Sequence, residues 1–206
     1  MTKARGKTDV TAYDKLRTVI QTYVPINDRE QQDQKMILSY MDRFEEELLT
    51  RENGMAHFTA SGFILNKNLT KTLMIHHNIY QSWGWTGGHV DGETDLLYAA
   101  MKEAREETGV KAIIPLNEQI QALDIIPVWP HEKKGEPISA HLHLNVTYFL
   151  LADESDPLTI KEDENSDVKW IPLDEVSSYC SEPEMMLIYN KLIVATKKIK
   201  QKNAAL

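Results

Sequence analysis

The chain has 206 residues, of which 42% are hydrophobic and 26% charged, a composition typical of one folded domain with an extension. Its formal net charge of -8 argues against broad electrostatic binding to nucleic acid or to an anionic membrane surface. The single cysteine, Cys180, excludes an internal disulfide. With no apolar signal segment after Met1 and no apolar run long enough to cross a bilayer, the sequence favours a soluble protein of the reducing cytoplasm.

Two helices are predicted at the start of the chain. Apolar residues recur at the helical period from Ala12 to about Thr50, and "VPIND" interrupts the pattern. We assign residues 1–52 to an N-terminal helical extension. The sequence leaves three roles open for it: covering the edge of a sheet, forming part of a homodimer interface, or restricting a substrate pocket.

From Met55 onward the pattern changes to the short β-branched and aromatic runs that are typical of strands. The predicted strands are "HFTASGFIL", "TLMIHHNIY", "IQALDIIPV", "AHLHLNVTYFLLA" and "VKWIPL". The segment "HEKKGEPIS" is predicted to be a polar loop, and "SEPEMMLIYNKLIVATKKIK" a helix that begins at Pro183. The pattern indicates a mixed sheet between helices in a domain of residues 53–180, with residues 181–206 as a C-terminal helix packed on it.

One predicted strand alternates strictly between polar and apolar residues. In "AHLHLNVTY" the residues on the polar face are His141, His143, Asn145 and Thr147. A half-exposed strand would show the same pattern, so a substrate role for the two histidines is one of two interpretations. Trp83 and Trp85 also have two interpretations, because their side chains could stack a base or pack in the core.

Three carboxylates crowd the end of the stretch "GGHVDGETDLLYAAMKEAREETGV". Glu103, Glu106 and Glu107 are neighbours on a helix and repel one another. At about 100° per residue, Glu106 and Glu107 lie within roughly 60° of Glu103, as do the apolar residues Leu96 and Ala100. The acids therefore continue the apolar stripe and need a cationic partner. Mg²⁺ or Mn²⁺ fits best, because no histidine or cysteine sits among them.

The glycines before this helix indicate an anion site. Gly87, Gly88 and Gly92 permit a close approach of the backbone, and the first turn of a helix offers free N–H groups to an anion such as a phosphate. A glycine-rich turn is a weak signal alone. Next to an acidic helix that ends in "ETG" it becomes specific.

This stretch resembles the Nudix box, whose pattern is Gly, five residues, Glu, seven residues, then Arg-Glu-apolar-any-Glu-Glu-any-Gly-apolar. The matching positions are Gly88, Glu103, Ala104, Glu106, Glu107, Gly109 and Val110. Two positions depart from the pattern. Lys102 stands in place of the arginine, and Thr94 stands in place of the first glutamate, while Glu93 lies one residue before that position. A contact of Lys102 with Glu93 could replace the usual Arg–Glu pair only as a point charge. The surroundings, from roughly Met55 to Val176, are also similar to Nudix proteins.

The resemblance implies a Nudix fold, an α/β/α sandwich of the α+β class with a mixed sheet. It also implies hydrolysis of a diphosphate linkage by metal-activated water, and we take the substrate to be a nucleoside diphosphate derivative. The implied cofactor is Mg²⁺ (or Mn²⁺), held by Glu103, Glu106, Glu107 and the Gly88 carbonyl, with Glu106 or Glu107 as the candidate base.

The resemblance further implies a fourth acid from a loop outside the box. Glu164 in "KEDENSDVKW" is the candidate, in competition with Glu162, Asp163 and Asp167. The expected substrate contacts are Gly87, Gly88, His89, Trp85 and His143. The expected partner is a small diphosphate molecule, with neither nucleic acid nor membrane.

Two alternatives remain open. A non-catalytic Nudix module that binds a nucleotide as a sensor or regulator is favoured by the departures at Lys102 and Thr94, but all three box acids are present. A diphosphate isomerase of the isopentenyl type would need an active-site cysteine, and Cys180 lies outside the expected site. The loops Leu116 to Gln119 and Pro130 to Ser139 are expected to select the substrate, whose identity the fold does not give.

Overall fold

The structure, a computed structural model that describes residues 10–133 and 135–204, is a mixed sheet with helices on both faces. The helices are α1 (Ala12–Thr22), α2 (Asp28–Phe44), α3 (Leu96–Thr108), α4 (Val176–Tyr179) and α5 (Pro183–Ala204), with a 3-10 helix at Glu45–Leu49. The strands are β1 (Ala56–Asn66), β2 (Lys71–His77), β3 (Ser82–Gly84), β4 (Thr86–His89), β5 (Ile114–Pro115), β6 (Ala122–Val128), β7 (His131–Lys133), β8 (Glu136–Ile138), β9 (His141–Ala152) and β10 (Asn165–Pro172). None of the helices in these two ranges is long and apolar enough to cross a membrane.

The centre of the sheet is the parallel pairing of β1 with β9. Its register runs from Ala56 opposite Leu142 to Asn66 opposite Ala152. On the other edge of β1 lie β2 and β4, both antiparallel to it, and β2 continues to β3 and β10. The short β5 and the longer β6 pair with β9. β1 therefore lies between β9 and β4, the strand that leads into α3.

Different helices cover the two faces of β1 and β9. Even-numbered residues such as Phe58 and Val146 join a core with α1, α2 and α3. On the opposite face, Phe63 and Phe149 join a second core with α4 and α5. At the beginning of both strands this second face is polar, with His57 and Thr59 on β1 and His143 on β9. The sandwich thus leaves one polar end of the sheet without a helical cover.

Most predicted elements are confirmed. The two N-terminal helices, the five long strands and the C-terminal helix from Pro183 lie where the sequence placed them. The prediction for "HEKKGEPIS" was wrong in one respect, because the segment forms the hairpin of β7 with β8. The strands β3, β4 and β5 were not predicted, since runs of two to four residues are too short to show a period.

A buried ion cluster joins the N-terminal extension to the sheet and to α5. Lys191 Nζ lies 2.6 Å from Glu30 Oε1 on α2 and 2.5 Å from Asp124 Oδ1 on β6. The Tyr23 hydroxyl and the Ile26 N–H also donate hydrogen bonds to Glu30. The two carboxylates are 0% and 2% exposed, so their charges depend on the one ammonium group between them.

The extension covers the sheet. Its helices fill the core on the α3 side, and α2 packs against β6, an outer strand. Within the described residues, none before Arg51 lines the main cavity, so the structure does not support restriction of the pocket by these helices. The homodimer interface stays a prediction.

We expect Lys191→Met to lower the free energy of unfolding by about 3–5 kcal/mol, because it leaves two buried carboxylates without a cation. Urea unfolding followed by circular dichroism measures this change. Lys198→Met is the matched control on an exposed position of the same helix and should change stability by less than about 0.5 kcal/mol. Equal effects of the two substitutions would contradict a stabilising role for the cluster.

Candidate active site

A cavity of about 710 Å³ opens at the polar end of the sheet. Carboxylates of α3 lie on one wall, and histidines of β1, β4 and β9 lie on another. The residues predicted for catalysis, metal binding or substrate binding all line it: Trp85, Gly87, Gly88, His89, Glu103, Glu106, Glu107, His143 and Glu164. The structure therefore brings the whole predicted set into one space.

Three carboxylates form a compact group in this cavity. One oxygen atom each from Glu103, Glu107 and Glu164 lies within 4.8 Å of the other two. Glu107 is 2% exposed, and its Oε2 accepts a hydrogen bond of 3.0 Å from the Gly87 N–H. Burial raises the pKa of Glu107 well above its usual range, and the neighbouring carboxylates raise it further, although the Gly87 N–H opposes them. Clustered oxygen ligands of this kind suit a hard divalent cation.

Gly88 allows close packing of β4 against a carboxylate of the site. A Cβ placed on Gly88 would lie 2.7 Å from Cδ and 2.8 Å from Oε2 of Glu103, a separation that real Cβ atoms do not show. β4 can therefore lie against the Glu103 carboxylate only because this residue lacks a side chain.

Two contacts at the end of α3 bring Glu164 to the group. The Thr159 N–H donates to the Thr108 carbonyl at 2.9 Å, and Asn165 Nδ2 donates to the Glu107 carbonyl at 3.1 Å. Gly109 ends the helix at a φ of 73°, where a Cβ would collide with the Thr159 hydroxyl. The loop before β10 is thus held against the helix.

Of the four acids that competed in this loop, Glu164 joins the group. Asp163 lines the cavity, whereas Glu162 and Asp167 are not among the described residues that line it. The preference for Glu164 from the sequence is consistent with this placement, and its role stays a proposal.

Glu106 lies beside the carboxylate group and is paired with two lysines. Its oxygens are 3.3 Å from Lys102 Nζ and 3.5 Å from Lys161 Nζ, and its side chain is 42% exposed. Lys102 also lies 3.2 Å from Glu103, and Lys161 lies 3.1 Å from Glu164. Two ammonium groups therefore link the acids into a chain of alternating charge. Sequence reasoning missed Lys161 because no motif marks it.

The substitute contact of Lys102 with Glu93 is not observed among the described ion pairs. Lys102 turns toward Glu103 and Glu106 instead. Glu93 Oε1 accepts hydrogen bonds of 2.8 Å from the N–H groups of Thr94 and Asp95. The Lys102 ammonium reaches these acids because a long flexible side chain can fold back along the helix.

Four histidines line the same cavity as the carboxylates. His57, His89, His141 and His143 offer one ring nitrogen each within 4.8 Å of the others. Burial, followed by the nearby His89 and His57, lowers the pKa of His143 to about 2. The polar face of β9 thus contributes His141, His143 and Asn145 to the cavity lining.

His57 was not among the residues predicted for the site. The signal was present, because His57, Thr59 and Ser61 alternate with apolar residues along "HFTASGFIL". Asn145 on β9 links the two strands, accepting hydrogen bonds from the Thr59 and Ser61 hydroxyls at 3.0 and 2.8 Å.

The remaining candidates divide between packing and cavity positions. Trp85 lines the cavity and packs edge-on against Tyr189 at 5.3 Å, whereas Trp83 packs against Tyr179. Cys180 is buried near the Ser82 hydroxyl, as expected for a packing residue. Of the two predicted specificity loops, the one at 130–139 lines the cavity; in the described chain, no residue of 116–119 does so.

We expect Gly88→Ala to weaken Mn²⁺ binding by about tenfold or more while the fold is retained. The added methyl group must displace the Glu103 carboxylate, which is the end of a flexible side chain and can move without disturbing the core. Isothermal titration calorimetry measures the affinity, and thermal unfolding checks the fold. Gly54→Ala is the control, because no atom lies within 4 Å of its added Cβ. Unchanged Mn²⁺ affinity in Gly88→Ala would place the ion elsewhere.

We expect Glu107→Gln to be more stable than wild type at pH 7 in chelator, by more than about 0.5 kcal/mol. Because the folded-state pKa of Glu107 is raised, wild-type stability rises as the pH falls toward the unfolded-state pKa of about 4.3. Glu107→Gln lacks the titrating carboxyl group, so the contribution of Glu107 to this rise in stability is absent from the variant. Urea unfolding at several pH values measures both effects, with the exposed Glu118→Gln as control. A destabilised Glu107→Gln would contradict the assigned cost of burial.

Comparisons with known proteins identify the family and the fold. The family model described as the NUDIX domain matches residues 55–193. An Ap4A hydrolase binary complex from C. elegans is similar at 19% identity and a TM-score of 0.50, covering 68% of this chain and 98% of that one. The E. coli dihydroneopterin triphosphate pyrophosphohydrolase is similar at 13% identity and a TM-score of 0.50, covering 67% and 95%. No curated protein matches the sequence. With this family model spanning most of its length, the chain belongs to the Nudix family.

Proposed function

We propose that the chain is a divalent-metal-dependent hydrolase that cleaves a diphosphate linkage in a nucleoside diphosphate derivative. The observation that carries the proposal is the group of Glu103, Glu107 and Glu164, whose oxygens converge in a cavity large enough for a nucleotide. The family membership supports the same chemistry.

The residues of this group fit Mg²⁺ or Mn²⁺. All three are carboxylates, the ligand type that hard cations prefer, and the buried Glu107 is costly as an anion without a cation beside it. The Gly88 carbonyl and Glu106 are further candidate ligands. Glu106 would first have to separate from Lys102 and Lys161. When bound, the ion would offset the charge of the diphosphate and acidify water.

Glu107 is our first candidate for the base, with Glu106 as the second. Its Oε2 is occupied by the Gly87 N–H, which leaves Oε1 to take a proton from the attacking water. A carboxylate beside the candidate metal can accept this proton as a general base. The water oxygen forms the new bond to phosphorus, and the bridging oxygen leaves with the second phosphate.

The cations and aromatic rings of the cavity suit the rest of such a substrate. Lys102 and Lys161 can each turn from a carboxylate to a phosphate oxygen, since both line the cavity. Tyr80, Trp85 and Trp129 also line it, and their rings provide faces for stacking a base. We place the phosphates at the carboxylates and the base toward these rings.

We expect metal-dependent release of phosphate-containing products from one class in a panel of nucleoside diphosphate derivatives, with loss of release in chelator. Glu107→Gln and Glu106→Gln should each lower kcat by about a hundredfold or more, because each removes charge stabilisation worth several kcal/mol. Product release is followed by chromatography with Mg²⁺ and with Mn²⁺. Near-normal turnover in both variants would show that the catalytic site lies elsewhere.

Two controls sharpen this experiment. Glu118→Gln makes the same chemical change at an exposed position and should keep wild-type turnover. Calorimetry with the same nucleotides separates catalysis from binding. Tight binding without turnover under either metal would replace the hydrolase with a nucleotide sensor.

A further inference from the structure

The four histidines that line the cavity form a cluster with the spacing of a metal site. Their ring centroids lie 4.8 to 5.2 Å apart in five of the pairs. His141 Nε2 and His143 Nε2 are 3.2 Å apart and share a hydrogen bond, so one of them carries a proton that a bound metal would displace. In a tetrahedral site with Zn–N bonds of about 2.0–2.1 Å, two ligand nitrogens are separated by about 3.3 Å. One pair is therefore already at the ligand spacing, and one nitrogen of each of the four rings lies within 4.8 Å of the others.

The outer nitrogens of two rings are held as they are in metal sites. His141 Nδ1 lies 2.9 Å from the Ser139 carbonyl, and His57 Nδ1 lies 3.3 Å from the Asn53 carbonyl. A carbonyl oxygen can only accept, so each Nδ1 carries the proton and donates it. The Nε2 atoms of both rings then present lone pairs, and a backbone carbonyl on the other nitrogen is a usual outer contact of a metal-bound histidine.

His57 provides a second, independent observation. The residue is 5% exposed, and its Nε2 is buried without a hydrogen-bond partner in the structure. A buried polar atom of this kind costs free energy unless it is satisfied by a partner. The His57 ring contacts those of His89, His141 and His143, so its unsatisfied nitrogen belongs to the cluster.

We propose that His57, His89, His141 and His143 form a second metal site, which binds a borderline transition-metal dication such as Zn²⁺. The donor set decides the ion, because four neutral imidazoles suit Zn²⁺ and its neighbours, whereas Mg²⁺ prefers oxygen. This site does not depend on the proposed hydrolysis. The histidines could bind a dication whether or not the carboxylates hold a metal.

β4 places the two sites side by side. Gly87 donates to Glu107 of the carboxylate group, and His89, two residues further along the same strand, is a member of the histidine cluster. Two residues of strand span about 6.6 Å. A dication held by the histidines therefore borders the space in which a diphosphate would lie, and the two sites differ in the hardness of their ligands.

We expect the protein to bind about one Zn²⁺ per chain in the presence of excess Mg²⁺, which occupies oxygen-ligand sites. His143→Ala and His141→Ala should each weaken Zn²⁺ binding by at least about tenfold. Calorimetry and metal analysis after dialysis measure affinity and stoichiometry. Co²⁺ in place of Zn²⁺ adds a spectroscopic readout, since tetrahedral nitrogen coordination gives visible absorption that both substitutions should remove.

Two variants serve as controls. His76→Ala removes a histidine whose Nδ1 contacts Ser166 and which is not part of the cluster, so Zn²⁺ binding should be unchanged. Glu107→Gln changes the carboxylate group and should also leave Zn²⁺ binding unchanged. Unaltered binding in both cluster variants, or equal loss in Glu107→Gln, would overturn the proposal. Circular dichroism checks that each variant folds, and His141, which is only half-buried, is the safer of the two substitutions.

Discussion

Eleven residue pairs join β1 to β9 in parallel register, and both strands bury side chains on both of their faces. A slip of one residue in either strand would exchange the residues of its two faces. Phe63 and Phe149 would then leave the core under α5, and His57 would move to the face of α3. The position of the cavity follows from this register, because the polar beginnings of both strands lie together where α5 no longer covers them.

Function and stability conflict in the cavity that this register creates. Glu107 and His57 are both almost fully buried, and each presents a polar atom that the protein itself satisfies incompletely. An apolar residue at either position would pack with less cost. Glu30 and Asp124 share the buried cation Lys191, yet Asp124 Oδ2 also lacks a hydrogen-bond partner. What distinguishes Glu107 and His57 is that both line the cavity, where a ligand can reach and satisfy them.

The sequence predicted the parts of this site that lie close together in the chain. The carboxylates of α3 share a periodic helix, and the alternation of β9 is visible within nine residues. His57 escaped notice because its partners belong to other strands and meet it only through the parallel register. The direction of Lys102 could not be predicted either, since it depends on where Glu103 and Glu106 are held after β4 has packed against α3. Long-range register and the rotamers of long side chains are tertiary properties, and no local pattern encodes them.

The replacement of arginine by Lys102 has a physical consequence for the carboxylate group. An arginine could hold one carboxylate in a bidentate pair, whereas the ammonium of Lys102 is shared between Glu103 and Glu106. Lys161 is shared in the same way between Glu106 and Glu164. In the part of the chain that the structure describes, Glu107 has no ion pair with a lysine or arginine. The two lysines thus satisfy the outer acids and leave the most buried one for a cation from solution. A metal bound by the outer acids would replace these shared ammonium contacts, which lie at 3.1 to 3.5 Å.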